Sequence, residues 1–335
     1  MPMLRRLVLL LACVVVLVAG PAAARVFYVG TGHQYQRPSQ VAALVAPGDA
    51  VEIEPGEYYD CAIWRTDRLT IIGRGAGPVI TDTQCADKAA FVINGDDVVL
   101  RNLTFARIRV PDRNGAGVRH QGQDLTIENC RFINNEIGLL SSAPATARIT
   151  IRDSRFERNG LCVDGRCLPS VSVPAITVLR MERSVLTASR GGSLLRSGAV
   201  KTVLLGNAFG GGSSGTAETL LLASGDLRAE GNRFERDADA QEAPAITLRA
   251  LWHTPEIIVR DNTLLNHGAH PAVLLENLSS AEPTLEGNTV DANDILVSNA
   301  GLLAARAKDT GHRTYDATAP LRSGLRHLEQ KLMPK

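Results

Sequence analysis

The sequence predicts an all-β fold, a parallel β-helix of about ten coils, because short apolar strands recur along most of the chain. One set of segments ends on an apolar closing residue. These residues follow one another at intervals of 23 to 30 positions: Phe105, Phe132, Phe156, Leu186, Phe209, Phe234, Leu264 and Val290. A period of this size indicates a solenoid, in which each repeat stacks on its neighbours.

A second set of short apolar segments lies between the members of the first. These segments begin at Gly117, Gly138, Val171, Ser193, Thr219, Ile246, Ala272 and Asp294. Each repeat therefore contains two to three short strands and leaves no room for helices, which favours a parallel β-helix. Leucine-rich repeats share this repeat length, but their Leu and Asn spacing is missing from this sequence.

A polar pair ahead of each closing residue predicts a tight corner, because Asn and Gly tolerate a left-handed backbone. One position of the pair is occupied in successive repeats by Cys130, Ser154, Ser184, Asn207, Asn232, Asn262 and Asn288. Stacked Asn side chains can pass hydrogen bonds from coil to coil. We therefore expect a structural ladder here rather than a ligand site, and a structural role for Cys130.

The first 24 residues are predicted to be a cleavable secretory signal, because Arg5 and Arg6 precede an apolar run that ends in small residues. The sequence LLAC, ending at Cys13, also resembles a lipoprotein processing box, but further apolar residues follow it, which disfavours lipidation. No later segment has the roughly 20 apolar residues of a transmembrane helix. The predicted location is outside the cytoplasm, either periplasmic or secreted.

One elongated domain is predicted for residues 25–301, followed by a weakly structured, charged C-terminal tail at 302–335. The segment 38–49 predicts an N-terminal capping helix, with Ser39 placed to start it and Pro47 and Gly48 to stop it. Such a cap covers the open apolar end of a solenoid.

The charge of the chain is balanced, since 36 basic residues nearly cancel 35 acidic ones. No global field attracts nucleic acid or an anionic membrane surface. Any charged partner must be recognised locally, and the sequence predicts no particular oligomeric state.

Four cysteines suggest two disulfides in an exported protein. Cys61 and Cys85 lie about one repeat apart, so stacking of successive coils at ~4.8 Å would bring them within disulfide range. Cys162 and Cys167 can close a short loop. No His falls at ligand spacing from either pair, so no metal site is predicted.

The chain from Val26 to about Val297 resembles the right-handed parallel β-helix proteins of the pectate-lyase-like superfamily, and GDAVEIEPGEYYDCAIW at 48–64 resembles their opening coil. More narrowly, YYDCAIW, DKAAFVI from Asp87 and RVPDRNGAGVRHQG from Arg109 resemble uncharacterised exported bacterial β-helix proteins. The resemblance implies a right-handed β-helix. It leaves the activity open, because the superfamily includes polysaccharide lyases, hydrolases, uronate epimerases and non-catalytic binding proteins.

A site on this fold needs polar groups on the outward faces of stacked strands. A uronate lyase would need a cation such as Ca²⁺ and a base, and a hydrolase would need two carboxylates within roughly 5 to 10 Å. The richest polar strand is GVRHQG, where only one of Arg119 and His120 can point outward. The candidate substrate-binding residues are Asp60, Lys88, Arg119, Gln121 and Arg196, and the last four are also the catalytic candidates. An ordinary solvated strand face is the alternative.

The narrower resemblance implies that a catalytic row has been lost. Relatives often carry polar His, Lys, Arg and acidic residues on three consecutive strands, with a Glu on the strand before. At the matching positions this chain has Pro169, Arg196, Gly198, Leu220, Leu222 and Gln121.

Three hypotheses follow for the function. The preferred one is an exported β-helix protein that binds polysaccharide or has a structural role in the envelope, without turnover or a cofactor. The alternative is a polysaccharide lyase or uronate epimerase acting on an acidic polysaccharide, in which Ca²⁺ could take part. The third is an adhesin or assembly module that uses an exposed face or end.

Overall fold

The computed structural model describes residues 23–211, 220–238, 243–249 and 254–300. The described chain winds through three parallel sheets, here called A, B and C, which it visits in that order on each coil. Sheet A has 11 strands, sheet B has 9 and sheet C has 10. The predicted all-β parallel solenoid of about ten coils is confirmed.

The strands are numbered in chain order. Sheet A contains β1 (Val26–Val29), β2 (Ala50–Ile53), β5 (Thr70–Gly73), β8 (Val98–Arg101), β11 (Leu125–Glu128), β14 (Arg148–Arg152), β19 (Val178–Glu182), β22 (Lys201–Leu205), β25 (Asp226–Glu230), β28 (Ile257–Arg260) and β31 (Thr284–Glu286). Sheet B contains β3 (Glu57–Tyr58), β6 (Val79–Thr81), β9 (Thr104–Ala106), β12 (Arg131–Ile133), β15 (Arg155–Glu157), β20 (Val185–Thr187), β23 (Ala208–Gly210), β26 (Arg233–Arg236) and β29 (Thr263–Asn266).

Sheet C contains β4 (Ala62–Trp64), β7 (Ala89–Ile93), β10 (Ala116–His120), β13 (Ile137–Ser141), β18 (Val171–Val173), β21 (Leu195–Ser197), β24 (Leu221–Ser224), β27 (Ile246–Arg249), β30 (Val273–Asn277) and β32 (Ile295–Ser298). An antiparallel hairpin, β16 (Leu161–Val163) and β17 (Arg166–Leu168), is inserted between β15 and β18.

The closing residues seen in the sequence form the inward column of sheet B. Phe105, Phe132 and Phe156 stack with ring centroids 5.2 and 4.4 Å apart. Sheet C supplies glycines opposite these rings: a Cβ at Gly117 would lie 2.8 Å from the ring of Phe132. Two segments of the second set therefore begin with Gly, at Gly117 and Gly138, where the aromatic rings need the space.

Each segment that ends on a closing residue consists of two strands, one in sheet A and one in sheet B, joined by the predicted corner. In the repeat from β11 to β12, Asn129 has a left-handed backbone with φ of 50°, and Cys130 follows it. The backbone N–H of Cys130 donates to Ser154 Oγ at 3.1 Å, and that of Asn207 donates to Asn232 Oδ1 at 2.9 Å. The predicted ladder is confirmed, and Cys130 occupies one of its positions.

The predicted capping helix is reduced to a single 3-10 turn, Pro38–Gln40, which begins after Arg37 rather than at Ser39. Ser39 N lies in the first turn, where a helix supplies no carbonyl acceptor, whereas Ala46 N donates to a side chain in place of a helical carbonyl. Ser39 N donates to Asp60 Oδ2 at 2.8 Å, and Ala46 N donates to Asp49 Oδ2 at 2.8 Å. A longer capping helix is therefore not confirmed.

Both predicted disulfides are present. Cys61 and Cys85 have their Cα atoms 5.6 Å apart, and Cys162 and Cys167, which face each other across the hairpin, 4.1 Å apart. Across the described ranges, no helix is long and apolar enough to span a bilayer. Nearly all of the predicted signal, residues 1–22, and the whole predicted tail lie outside the described residues.

Candidate functional site

The candidate residues Arg119 and Arg196 belong to one outward column of sheet C. The register of the parallel strands aligns, in order, Ile63, Val92, Arg119, Leu140, Ser172, Arg196, Leu222, Thr247, Glu276 and Ser298. The residues on either side of each arginine are buried. Because side chains alternate along a strand, the column itself faces outward.

The structure decides between Arg119 and His120. His120 points into the core with no exposed surface, and its Nδ1 lies 3.2 Å from Ser141 Oγ. Burial lowers the pKa of His120 to about 4. Arg119 is therefore the outward member of the pair, and His120 belongs to the interior.

Arg119 and Arg196 are partly buried, and the described residues supply no partner to either guanidinium. The Nε atom of each is buried without a hydrogen-bond partner, and among the described residues neither guanidinium forms an ion pair. Three strand steps separate the two positions, which corresponds to about 14 Å at the usual spacing of parallel strands. Two cationic groups thus lie on the same face, and no described carboxylate neutralises either of them.

Several arginines elsewhere on the solenoid are paired. On the outer face of sheet A, Glu128 forms ion pairs with Arg101 and Arg152, with nitrogen–oxygen distances of 2.7 and 3.4 Å. On the loop before β10, the hydrogen bond to Asp82 raises the pKa of Arg107, whereas burial lowers the pKa of Arg119. The unpaired arginines of sheet C are thus unlike these surface arginines.

Lys88 and Gln121 meet beside this column. Lys88 precedes β7 and Gln121 follows β10, and Lys88 Nζ donates to Gln121 Oε1 at 3.3 Å. The two side chains approach each other from opposite ends of neighbouring strands. Asp60 has a different environment, because it is 8% exposed and its Oδ2 atom accepts the Ser39 N–H.

A small apolar cluster lies outside the solenoid next to Arg119. Its buried members are Ala89, Val92, Ala116 and Ile137, with Ile63, Cys85, Leu140 and Leu168 packed against them. Leu168 comes from the inserted hairpin. Val92 and Leu140 are the register neighbours of Arg119 on either side. Arg119 therefore lies between two members of this cluster.

Glu136 was not foreseen from the sequence, although it orders the loop that leads into β10. Its Oε2 atom accepts the backbone N–H groups of Val110 at 3.1 Å and Gly115 at 2.6 Å. The side chain is 4% exposed. A single acidic residue directly before an apolar strand, in NNEIGLL, was the only signal.

Other reactive groups are scarce in the described ranges. No cluster of three or more His, Cys, Asp or Glu side chains is arranged to hold a metal ion there. Cys130 is a free thiol, but it is fully buried, and burial raises its pKa to about 12. A thiol with so high a pKa is a poor nucleophile.

The fold and this outward face define a parallel β-helix protein with a cationic strand column. The chain belongs to the family described as "Right handed beta helix region", whose model matches residues 89–310.

Several solved structures are similar to this chain at low identity. An alginate lyase from a Paenibacillus species is 12% identical over 82% of this chain and 98% of its own, with a TM-score of 0.49. A pectin methylesterase from carrot is 12% identical over 89% and 98%, with a TM-score of 0.47. A rice weevil pectin methylesterase is 12% identical over 79% and 88%, with a TM-score of 0.46. These similarities concern the fold, and no curated protein sequence matches the chain.

Proposed function

We propose that this protein binds an acidic polysaccharide on the outer face of sheet C and does not turn it over. The observation that carries the proposal is the pair of unpaired, partly buried guanidiniums of Arg119 and Arg196 in one outward column. A guanidinium presents a planar fork of donors that matches a carboxylate. A ligand carboxylate would supply the partners that the described protein residues do not.

The residues between the two arginines suit a sugar chain. Leu140 and Ser172 separate them in the register, and both are partly exposed. A pyranose ring presents C–H groups that pack on an apolar side chain and hydroxyls that bond to a polar one. The column therefore offers contacts for neutral parts of the polymer as well as for its acids.

The same column offers little for hydrolysis. Among its members, the first carboxylate is Glu276, which accepts a hydrogen bond from Thr247 Oγ1 at 3.1 Å. Hydrolysis of a glycosidic bond needs two carboxylates close together. The resemblance noted above places Gly198 and Leu222 where relatives have polar residues, which supports binding without turnover.

We also propose that the protein is exported, periplasmic or secreted, after removal of residues 1–24, with a β-helix domain at 25–301, a C-terminal tail at 302–335 and no cofactor. The two disulfides are compatible with an oxidising compartment. An exported protein would meet polysaccharides of the envelope or the surroundings.

A lyase or epimerase is the second candidate, and one observation favours it. Burial lowers the pKa of Arg119, the direction in which an arginine must shift to accept a proton from a sugar carbon. Lys88 and Gln121 would then position the substrate, and Ca²⁺ would neutralise its carboxylate. This activity would generate unsaturated uronate ends, which absorb ultraviolet light.

An adhesin or assembly module is the third candidate. Val26 and Tyr28 lie on β1, the outermost strand of sheet A, and each is 44% exposed. Tyrosine and apolar side chains at an exposed strand are common in protein interfaces. Self-association that is lost in Tyr28→Ser would support this role.

The first test is calorimetric titration of the mature protein with polygalacturonate, alginate and neutral dextran, with ultraviolet absorbance followed on the same mixtures. We expect binding of an acidic polymer only, without an absorbance increase. Arg119→Ala and Arg196→Ala should each weaken binding about tenfold, equivalent to about 1.4 kcal/mol. Arg228→Ala is the matched control, because Arg228 is exposed on sheet A and pairs with Glu230.

Two results would contradict the proposal. An absorbance increase that disappears in Arg119→Ala would establish a lyase. Binding that is unchanged in both sheet C variants would place the polysaccharide elsewhere on the molecule.

A further inference from the structure

The outward column of sheet C repeats one pattern of side chains twice. Three consecutive coils present Arg119, Leu140 and Ser172, and the next three present Arg196, Leu222 and Thr247. Each triplet therefore places a guanidinium, an apolar side chain and a hydroxyl residue in the same order, although Thr247 is only 5% exposed and its Oγ1 donates to Glu276 Oε2 at 3.1 Å. The sequence hides this order, because the insertions between strands differ in length.

The spacing of the pattern is set by the backbone. Hydrogen-bonded neighbouring strands lie about 4.8 Å apart, so the triplet repeats after about 14 Å along the stack. The buried residues on either side of each position, such as Leu195 and Ser197 around Arg196, keep the six side chains on one face. The pattern is thus a linear array along the solenoid axis.

The array is bounded at both ends. Val92 precedes Arg119 in the column and is 2% exposed within the apolar cluster. Glu276 follows Thr247 where a third arginine would continue the pattern, and its carboxylate would repel an anionic group. The face therefore accommodates two anionic groups, one at each arginine.

From this array, and resting on the proposed function, we infer that the ligand is an acidic polysaccharide that runs along the stack and presents one carboxylate to this face at every third sugar. An extended pyranose unit advances a chain by a distance close to one coil, so three sugars span one triplet. In each triplet the arginine binds the carboxylate and the leucine packs against a ring, and in the first triplet the Ser172 hydroxyl bonds to a sugar hydroxyl.

The position of the charges, not their number, then governs the affinity. A uronan with an acid on every sugar can bind both arginines if its chain twists so that the carboxylates between the two contacts face water. A carboxylate forced onto the apolar Leu140 would lose hydration without gaining a cationic partner. Two carboxylates on adjacent sugars cannot reach both arginines at once.

The experiment uses tetrasaccharides of whichever uronate binds best in the polymer panel: galacturonate, mannuronate or guluronate. Four forms are compared by calorimetry: the tetra-acid, the outer diacid with free acids on the first and fourth sugars, the adjacent diacid with free acids on the first and second, and the fully methyl-esterified neutral form. We expect the outer diacid to bind within about threefold of the tetra-acid and the adjacent diacid about tenfold more weakly.

Two variants make the test specific for the array. Arg196→Ala should abolish the preference for the outer diacid, because one cationic contact remains. The double variant S172R/R196A moves the second guanidinium one coil closer to Arg119, so it should prefer a fifth form, the diacid with acids on the first and third sugars, over the outer diacid. Thermal unfolding of each variant verifies that the solenoid is intact.

The outcomes separate the inference from the proposed function. Equal binding of the outer and adjacent diacids would overturn the three-sugar spacing and leave polysaccharide binding standing. Failure of the tetra-acid and of every polymer in the panel to bind would overturn both.

Discussion

Arg119 and His120 are consecutive residues of β10 that face opposite sides of sheet C. Arg119 is partly exposed and unpaired among the described residues, whereas His120 is fully buried beside Ser141. One strand thus contributes to the candidate site on its outer side and to the core on its inner side. Because successive side chains of a strand point to opposite faces, a residue of the candidate site and a residue of the core can be neighbours in the sequence.

His120 makes stability depend on pH. Its pKa falls from 6.5 to about 4 in the folded protein, so the unfolded chain binds more protons between these values. The stabilisation from the neutral imidazole is complete above about pH 6.5 and decreases as the pH falls towards 4, by up to about 3 kcal/mol. Urea unfolding at pH 7 and pH 4.5 measures the difference.

The variant His120→Leu is the control for this prediction, because it fills the interior position with an apolar side chain and removes the titrating imidazole. Its loss of stability between the two pH values should be smaller than that of the parent protein. An identical loss in both proteins would show that carboxylates, not His120, cause the pH dependence.

Within an element, the corner ladder illustrates how one side chain serves two coils. Asn232 Oδ1 accepts from both the backbone N–H and the Nδ2 group of Asn207, at 2.9 and 3.0 Å. Its own Nδ2 donates to Leu204 O at 3.0 Å. The side chain is buried, so these groups have no access to water if a partner is lost. Such corners therefore contribute to stability rather than to ligand binding.

Asn232→Ala should lower the free energy of unfolding by about 3 kcal/mol, because buried donors of Asn207 and the carbonyl of Leu204 lose partners. Chemical denaturation monitored by circular dichroism measures the effect. Asn94→Ala, at an exposed residue that follows β7, is the matched control and should change stability by less than about 0.5 kcal/mol. Equal effects of the two substitutions would remove the ladder as a source of stability.

Across the whole molecule, stability comes from contacts between successive coils, as in other solenoids. The two disulfides act at different levels of this organisation. Cys61–Cys85 closes a chain segment with a sequence separation of 24, about one coil, while Cys162–Cys167 closes a hairpin with a separation of 5. The longer closure restricts the unfolded chain more.

Cys61→Ser/Cys85→Ser should therefore cost about 3 kcal/mol and Cys162→Ser/Cys167→Ser about 2 kcal/mol or less. Denaturation of the oxidised variants gives both values. The hairpin variant should also become sensitive to proteolysis near Asp164, which is exposed at the hairpin tip. A larger loss in the hairpin variant would mean that β16 and β17 support the coils directly.

The sequence by itself determined the solenoid, its corner ladder and the Cys61–Cys85 pair, because these depend on a short period that recurs along the chain. It also determined the Cys162–Cys167 pair, because these residues are only five positions apart. It also brought Arg119, Arg196, Lys88 and Gln121 forward as polar residues on one strand column. The sequence did not reveal that the predicted helix at 38–49 shortens to a single turn at 38–40, where Asp49 Oδ2 accepts the Ala46 N–H that a longer helix would direct to a backbone carbonyl.

Only the tertiary structure decided that Leu140 and Ser172 lie between Arg119 and Arg196 in one outward column, that Lys88 and Gln121 lie beside this column, and that His120 turns inward. Register is set by hydrogen bonds between coils. Insertions such as the hairpin at 161–168 alter the numbering between strands without altering that register. Residues at irregular intervals in the sequence therefore become evenly spaced neighbours on the face of sheet C.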